Sequence, residues 1–167
     1  MKTLVLVRHA KSDWGDPSLP DHQRPLNVRG RHDAPRMGRR MRERGLAPEV
    51  VLSSSAVRAL TTAAVIAGEL GFDPDDIRVL DLLYGASPAT MLDVVGELDD
   101  AVGSAMVVAH DPGMSDLAAH FTMDSGADAI AQMPTCAVAT FTFDVGSWSE
   151  LDTARPTSTH FDAPALI

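Results

Sequence analysis

Short unbroken apolar runs alternate along this chain with longer stretches in which apolar residues recur every three or four positions. Residues 3–7 (TLVLV), 49–53 (EVVLS), 77–80 (IRVL) and 105–109 (AMVVA) are of the first kind. They read as strands, the first and last of these buried on both faces. Further strands are expected at about 137–144 and 148–152. From about residue 31, Ala34, Met37, Gly38, Met41 and Gly45 recur at helical spacing with arginines opposite. Pro35 is placed in the first turn of that helix and Gly45 at its end. Ser55 is a plausible N-cap for a helix over about 56–70, which Gly71 ends. Two more helices are expected at about 88–98, with Met91, Leu92, Val95 and Leu98 on one face, and near 114–121.

Strands alternating with helices imply right-handed crossovers and a mostly parallel central sheet covered on both faces, an α/β fold. No repeat, low-complexity segment or linker divides the chain, so residues 1–167 are expected to form one domain. The last fifteen residues, with Pro156 and Pro164, show no clear period and receive no assignment.

Composition narrows the partners. The net charge of −9 opposes binding to nucleic acid or to an anionic membrane surface. The charge is unevenly spread. Residues 1–58 hold 12 of the 14 basic residues but only 6 of the 23 acids, which suggests a local anion site on an otherwise repelling surface. Seven arginines between Arg29 and Arg44 fit either a steering surface or a merely solvated helix face. The single Cys136 excludes an internal disulfide. The N-terminal apolar run is broken at Arg8, too short for a signal peptide, and no stretch is long enough for a membrane span. A cytoplasmic location is expected.

In open α/β sheets ligands sit beyond the carboxyl ends of the strands. Three elements fall there: Arg8-His9 after the first strand, Ser53-Ser54 running to Arg58 after the second, and His110 after the 105–109 strand. Arginine's planar fork binds phosphate bidentately, and Arg58 at a helix start adds backbone donors. A neutral histidine beside them is a competent nucleophile toward phosphorus. Each element alone is equally a satisfied loop or surface residue; their joint placement points to phosphoryl chemistry.

The blocks RHAKSDW (8–14), RPLNVRG (24–30), SSSAVRALTTA (53–63), LLYGAS (82–87) and AHDPG (109–113) resemble the histidine phosphatase superfamily. RHAKS combined with RPL-x-x-RG resembles its SixA-like phosphohistidine phosphatase branch, and the likeness runs in order to about residue 140. The resemblance implies a three-layer α/β/α sandwich and a covalent phosphohistidine on His9. It places Arg8, Arg58 and His110 in the phosphate pocket, Ser12 and Ser54 as rim donors, and Asp81 where mutase-like members carry a glutamate acid. It implies no metal, no cofactor and no helical cap over the pocket. Three positions depart from the pattern: Gly15 replaces a phosphate-binding asparagine, Ala109 a glycine, and Asp111 an asparagine. The aspartate either points away from His110 or tunes it.

His22, His32, His120 and His160 lack metal-ligand spacing. Trp14 walls the pocket or plugs the core, Tyr84 packs, and Met91 and Met114 fill the core. The expected activity is a phosphatase acting on protein phosphohistidine, with a small phosphorylated metabolite as the alternative substrate. A non-catalytic phosphate-recognising module is the rival from another class. The His9–His110 pair argues against it, because phosphate binding alone needs only the arginines. A mutase would have to shield its phosphoryl group from water.

Overall fold

The computed structural model describes residues 1–166. Six strands form one sheet: β1 (Lys2–Arg8), β2 (Val50–Ser54), β3 (Arg78–Leu80), β4 (Ser104–Ala109), β5 (Val138–Phe143) and β6 (Ser158–Asp162), in the order β3-β2-β4-β1-β5-β6. The first four run parallel, and β5 and β6 are antiparallel additions at one side. Four helices accompany them: α1 (Val28–Glu43), α2 (Val57–Glu69), α3 (Pro88–Gly96) and α4 (Gly113–Phe121).

The unbroken apolar runs are explained by a core on each side of the sheet. Val5 and Val7 of β1 pack with Met37, Ala63 and Ile66 of α1 and α2. Their neighbours Leu4 and Leu6 turn the other way, toward Met91, Leu117 and Trp148. A strand with apolar side chains on both faces loses the hydrophobic/polar alternation of a half-exposed strand. The three layers are therefore α1–α2, the sheet, and α3–α4 with the segment around Trp148.

Three local expectations are corrected. Helix α1 starts at Val28, capped by the Asn27 side chain, which accepts from Gly30 N at 2.8 Å. Pro35 therefore lies beyond the first turn, where its ring removes the N–H that would bond the Arg31 carbonyl. Ser55 does not cap α2; the N-cap position is Ala56, without a side-chain cap. Residues 148–152 form a 3-10 helix and not a strand. Ser147 and Glu150 make a capping box there, and Trp148 and Leu151 turn inward to bury. The strand expected in that region lies further on, as β6 in the stretch left unassigned. Its outer residues Ser158, Thr159 and His160 are exposed, so it carries little apolar signal.

Two glycines bring loops to the site. A Cβ at Gly30 would stand 2.2 Å from the Lys11 carbonyl oxygen, so only glycine lets α1 press against the loop after β1. A Cβ at Gly113 would stand 2.0 Å from the Ala86 carbonyl oxygen, where α4 meets the loop before α3.

Candidate active site

The carboxyl ends of the central strands β1 and β4 place His9 and His110 side by side, since Arg8 pairs with Ala109 in the parallel ladder. Their ring centroids are 5.1 Å apart and both rings are buried. His9 Nδ1 lies 2.7 Å from the Ala10 carbonyl oxygen. A carbonyl only accepts, so Nδ1 carries the proton and Nε2 keeps its lone pair. The Ala10 amide donates to Thr62 Oγ1 at 3.0 Å, and that hydroxyl donates to the Arg58 carbonyl at 2.8 Å. Thr62 thus ties the nucleophile's neighbour to the first turn of α2.

Burial pushes the His9 pKa down to about 4, and the nearby Arg58, Arg8 and Arg24 charges lower it further against the bond to Ala10. Burial likewise pushes His110 down to about 3, followed by His9 and Arg58. Both imidazoles are neutral near pH 7. His110 Nε2 lies 2.7 Å from Ser54 Oγ, which already accepts the Ala56 amide at 3.2 Å. His110 Nδ1 is buried with no hydrogen-bond partner among the described residues.

Around His9 lies a cavity of about 290 Å³ lined by Arg8, Lys11, Ser12, Trp14, Asp21, Arg24, Arg58 and Thr135. Larger hollows occur elsewhere, one of 660 Å³ beside β6, but none of those brings a buried histidine and arginine together. The small site owes its chemistry to its charges: three arginines and a lysine against one carboxylate.

Of the residues the sequence singled out, Arg8, His9, Ser12 and Arg58 line this cavity, and His110 packs against His9. Ser54 is fully buried and holds His110, so it stands behind the pocket and not on its rim. Ser12 is bonded to Arg24 Nη2. Asp81 is exposed at the start of a 3-10 helix over Asp81–Leu83. It does not line the cavity and has no side-chain hydrogen bond or ion pair among the described residues. Asp111 points away from His110: it reaches Arg8 Nη1 at 3.3 Å and accepts from Ser115 N at 2.9 Å.

Four lining residues were not singled out from the sequence: Lys11, Asp21, Arg24 and Thr135, and two of them, Arg24 and Asp21, organise the site. Arg24 is buried and bonds Asp13 O at 3.0 Å and Asp21 Oδ1 at 2.9 Å. Its guanidinium stacks 3.2 Å from the centroid of the Trp14 ring. The RPLNVRG block therefore does three jobs: Arg24 in the pocket, Asn27 at the helix cap, Gly30 at the close approach. Asp21 accepts from Arg58 Nη2 at 2.9 Å and from the Tyr84 hydroxyl. The Tyr84 bond, then Arg58 and Arg24, hold its pKa well below the usual carboxylate range. The available signal was an Asp–Arg pair three residues apart, just before a proline. Trp14 walls the pocket, 72% exposed, and Tyr84 takes part in it through Asp21 and His110.

The arginine-rich helix α1 is largely spent on the fold. Arg29 and Arg36 approach Asp33, Arg39 and Arg42 approach Glu69, and Arg40 pairs with Asp162 through Nε at 2.8 Å and Nη2 at 3.1 Å. None of them lines the cavity, which favours the solvated-face alternative. Among the described residues, no helix is long and apolar enough to cross a membrane. Nor does any group of three or more His, Cys, Asp or Glu side chains there stand ready for a metal ion.

Comparison with known proteins matches this arrangement. Residues 4–83 match the family model of the histidine phosphatase superfamily (branch 1). An uncharacterised protein of Mycobacterium tuberculosis is 33% identical over 164 residues, 95% of this chain and 99% of its own length. The SixA structure from Agrobacterium tumefaciens is 27% identical with a TM-score of 0.80, covering 98% of both chains. That of the protein histidine phosphatase SixA with tungstate is 22% identical with a TM-score of 0.69, covering 96% of this chain and 94% of its own.

Proposed function

The chain belongs to the histidine phosphatase superfamily, and we propose that it is a phosphatase that works through a covalent phosphohistidine on His9 and that its substrate is protein phosphohistidine. The observation that carries the reading is the bond from His9 Nδ1 to the Ala10 carbonyl at 2.7 Å. It frees the Nε2 lone pair inside a cavity lined by Arg8, Arg24 and Arg58.

Nε2 attacks phosphorus while the arginines and His110 hold the equatorial oxygens, where charge spreads in the transition state. The leaving group departs, and water then attacks phospho-His9 to release inorganic phosphate. The charge that a metal supplies in other phosphatases comes here from guanidinium groups, so turnover proceeds without one. Both histidines are needed for transfer, which sets this reading above that of a phosphate-binding module.

Two observations favour a protein-borne substrate over a small metabolite. The cavity is small, and its wall Trp14 and neighbour Tyr84 are exposed at 72% and 40%, so the phosphate enters while the rest of the substrate stays outside. SixA of A. tumefaciens, sharing the fold over 98% of both chains, is also named as a candidate phosphohistidine phosphatase. The test compares a phosphohistidine-bearing protein with a panel of small phosphorylated metabolites, with a chelator present throughout. The higher kcat/KM is expected on the protein, with no effect of the chelator. Faster turnover of a metabolite would reassign the substrate; loss of activity that added metal restores would end the metal-free mechanism.

A further inference from the structure

We propose that Asp21, and not Asp81, donates the proton to the leaving group, and that the substrate's own negative charge loads it. The inference rests on the phosphatase reading above and adds the acid which that reading leaves unassigned.

Asp21 occupies, with a carboxylate, the donors that a phosphoryl group needs. Its Oδ1 accepts from Arg24 Nη1 at 2.9 Å and its Oδ2 from Arg58 Nη2 at 2.9 Å. The Tyr84 hydroxyl donates to the same Oδ2, and Arg58 Nη1 donates to the Asp21 carbonyl at 2.7 Å. The groups facing this carboxylate are Arg24 from its own loop, Arg58 from α2 and Tyr84 from the segment after β3. Arg8, Lys11 and His9 stand in the same cavity, and His22 lies against the Tyr84 ring. In the free protein cations predominate and the carboxylate is ionised.

A phosphate dianion changes that balance. It takes the same two guanidinium groups and sets two or more negative charges beside the carboxylate. Like charges sharing a site cannot all stay ionised, and a proton on Asp21 relieves the repulsion. The geometry then suits donation. His9 is buried while the Asp21 side chain is 47% exposed. A substrate entering phosphate-first has its leaving group at the mouth, on the level of Asp21. Asp81 lacks every one of these relations.

In the transfer step the His9 Nε2–P bond forms, the bond from phosphorus to the leaving oxygen or nitrogen breaks, and the Asp21 proton passes to that atom. In the second step Asp21, again a carboxylate, accepts a proton from the water that attacks phospho-His9. Phosphate leaves, and the sum is substrate plus water giving phosphate plus the protonated leaving group.

The experiment measures kcat/KM of wild type, Asp21→Asn and Asp81→Asn on aryl phosphates with good (4-nitrophenyl) and poor (phenyl) leaving groups, together with inhibition by inorganic phosphate. Asp21→Asn should lose only a few-fold on 4-nitrophenyl phosphate but about 100-fold or more on phenyl phosphate, the usual range for general acid catalysis. It should bind inorganic phosphate at least as tightly as wild type, because a competing anion is gone; that result also shows the pocket intact. Equal losses on both esters, or weaker phosphate binding, would make Asp21 a holder of the arginines and overturn the proposal. A leaving-group effect in Asp81→Asn alone would return the role to Asp81. A wild type that binds phosphate but cleaves neither these esters nor a phosphohistidine-bearing protein would fail the phosphatase reading itself, and the proposal with it; cleavage of the protein but of neither ester would overturn the need for an acid at Asp21.

Discussion

The imidazoles of His9 and His110 face each other with ring centroids 5.1 Å apart, and neither ring carries a charge near pH 7. Two protonated rings so close, next to Arg8 and Arg58, would repel each other, and burial removes the water that would soften the repulsion. The pair is therefore poised for an anion.

The first prediction follows from those depressed values. With the His9 pKa pushed down to about 4, the nucleophile stays unprotonated through the mildly acid range. With the substrate's own ionisation allowed for, kcat/KM should stay level between pH 8 and 5 and fall only below about 4. An inflection near 6.5 would contradict it. Stability carries the same signature. Above about pH 6.5 neither the folded nor the unfolded chain protonates these rings. Below it the unfolded chain gains protons the folded chain refuses, so stability falls with pH. The loss, about 1.4 kcal/mol per pH unit for each proton, continues to the folded values of about 4 and 3. Urea midpoints followed against pH should show this slope, and His110→Gln should flatten it.

The second concerns the clamp. Arg58→Ala and Arg8→Ala should each weaken phosphate binding and slow turnover by roughly 30- to 1000-fold, the equivalent of about 2–4 kcal/mol in charge-assisted contacts. Thermal melts should change little beside the kinetic loss. A variant with near-normal kinetics would remove its arginine from the site.

Much of this was legible in the chain and some was not. The strands at both histidines were readable because β1 and β4 are buried on two faces, which leaves an unbroken apolar run such as LVLV. Strand β6 was not, because an edge strand with exposed Ser158, Thr159 and His160 needs no apolar residues. The capping box at Ser147 and Glu150 was present in the sequence as a helix start, against the expectation of a strand over 148–152. In the site, Arg8, His9 and His110 stood out because they close or follow strands at their carboxyl ends, and Arg58 because it opens the helix after one. Asp21 and Arg24 lay in a proline-bearing stretch without periodicity, where their three-residue spacing was the available signal and their contacts across the pocket identify them.

Thr62 supplies the third prediction. Its hydroxyl accepts the Ala10 amide and donates to the Arg58 carbonyl, so Thr62→Val leaves a buried N–H without a partner and destabilises the fold by about 1–3 kcal/mol. The misplaced His9 ring should cost about ten- to a hundredfold in kcat. Thr62→Ser keeps the oxygen and should recover most of the rate; if valine and serine behave alike, the hydroxyl does not position the nucleophile.

A fourth uses the contrast between Trp148, 1% exposed, and Trp14, 72% exposed and stacked on Arg24. Drawing Arg24 onto a bound phosphate changes the environment of Trp14 alone. Phosphate titration should therefore alter the emission of wild type and leave Trp14→Phe silent while it still binds. A retained signal in Trp14→Phe would separate Arg24 from the anion site.

The phosphoryl group resides on His9 during turnover, and quenching the reaction of a labelled substrate tests this directly. The protein should retain label that survives base and is lost in acid, as an N-phosphoryl bond requires, on a peptide containing His9, and His9→Ala should retain none. Label stable to acid, or label still trapped by His9→Ala, would contradict the central claim.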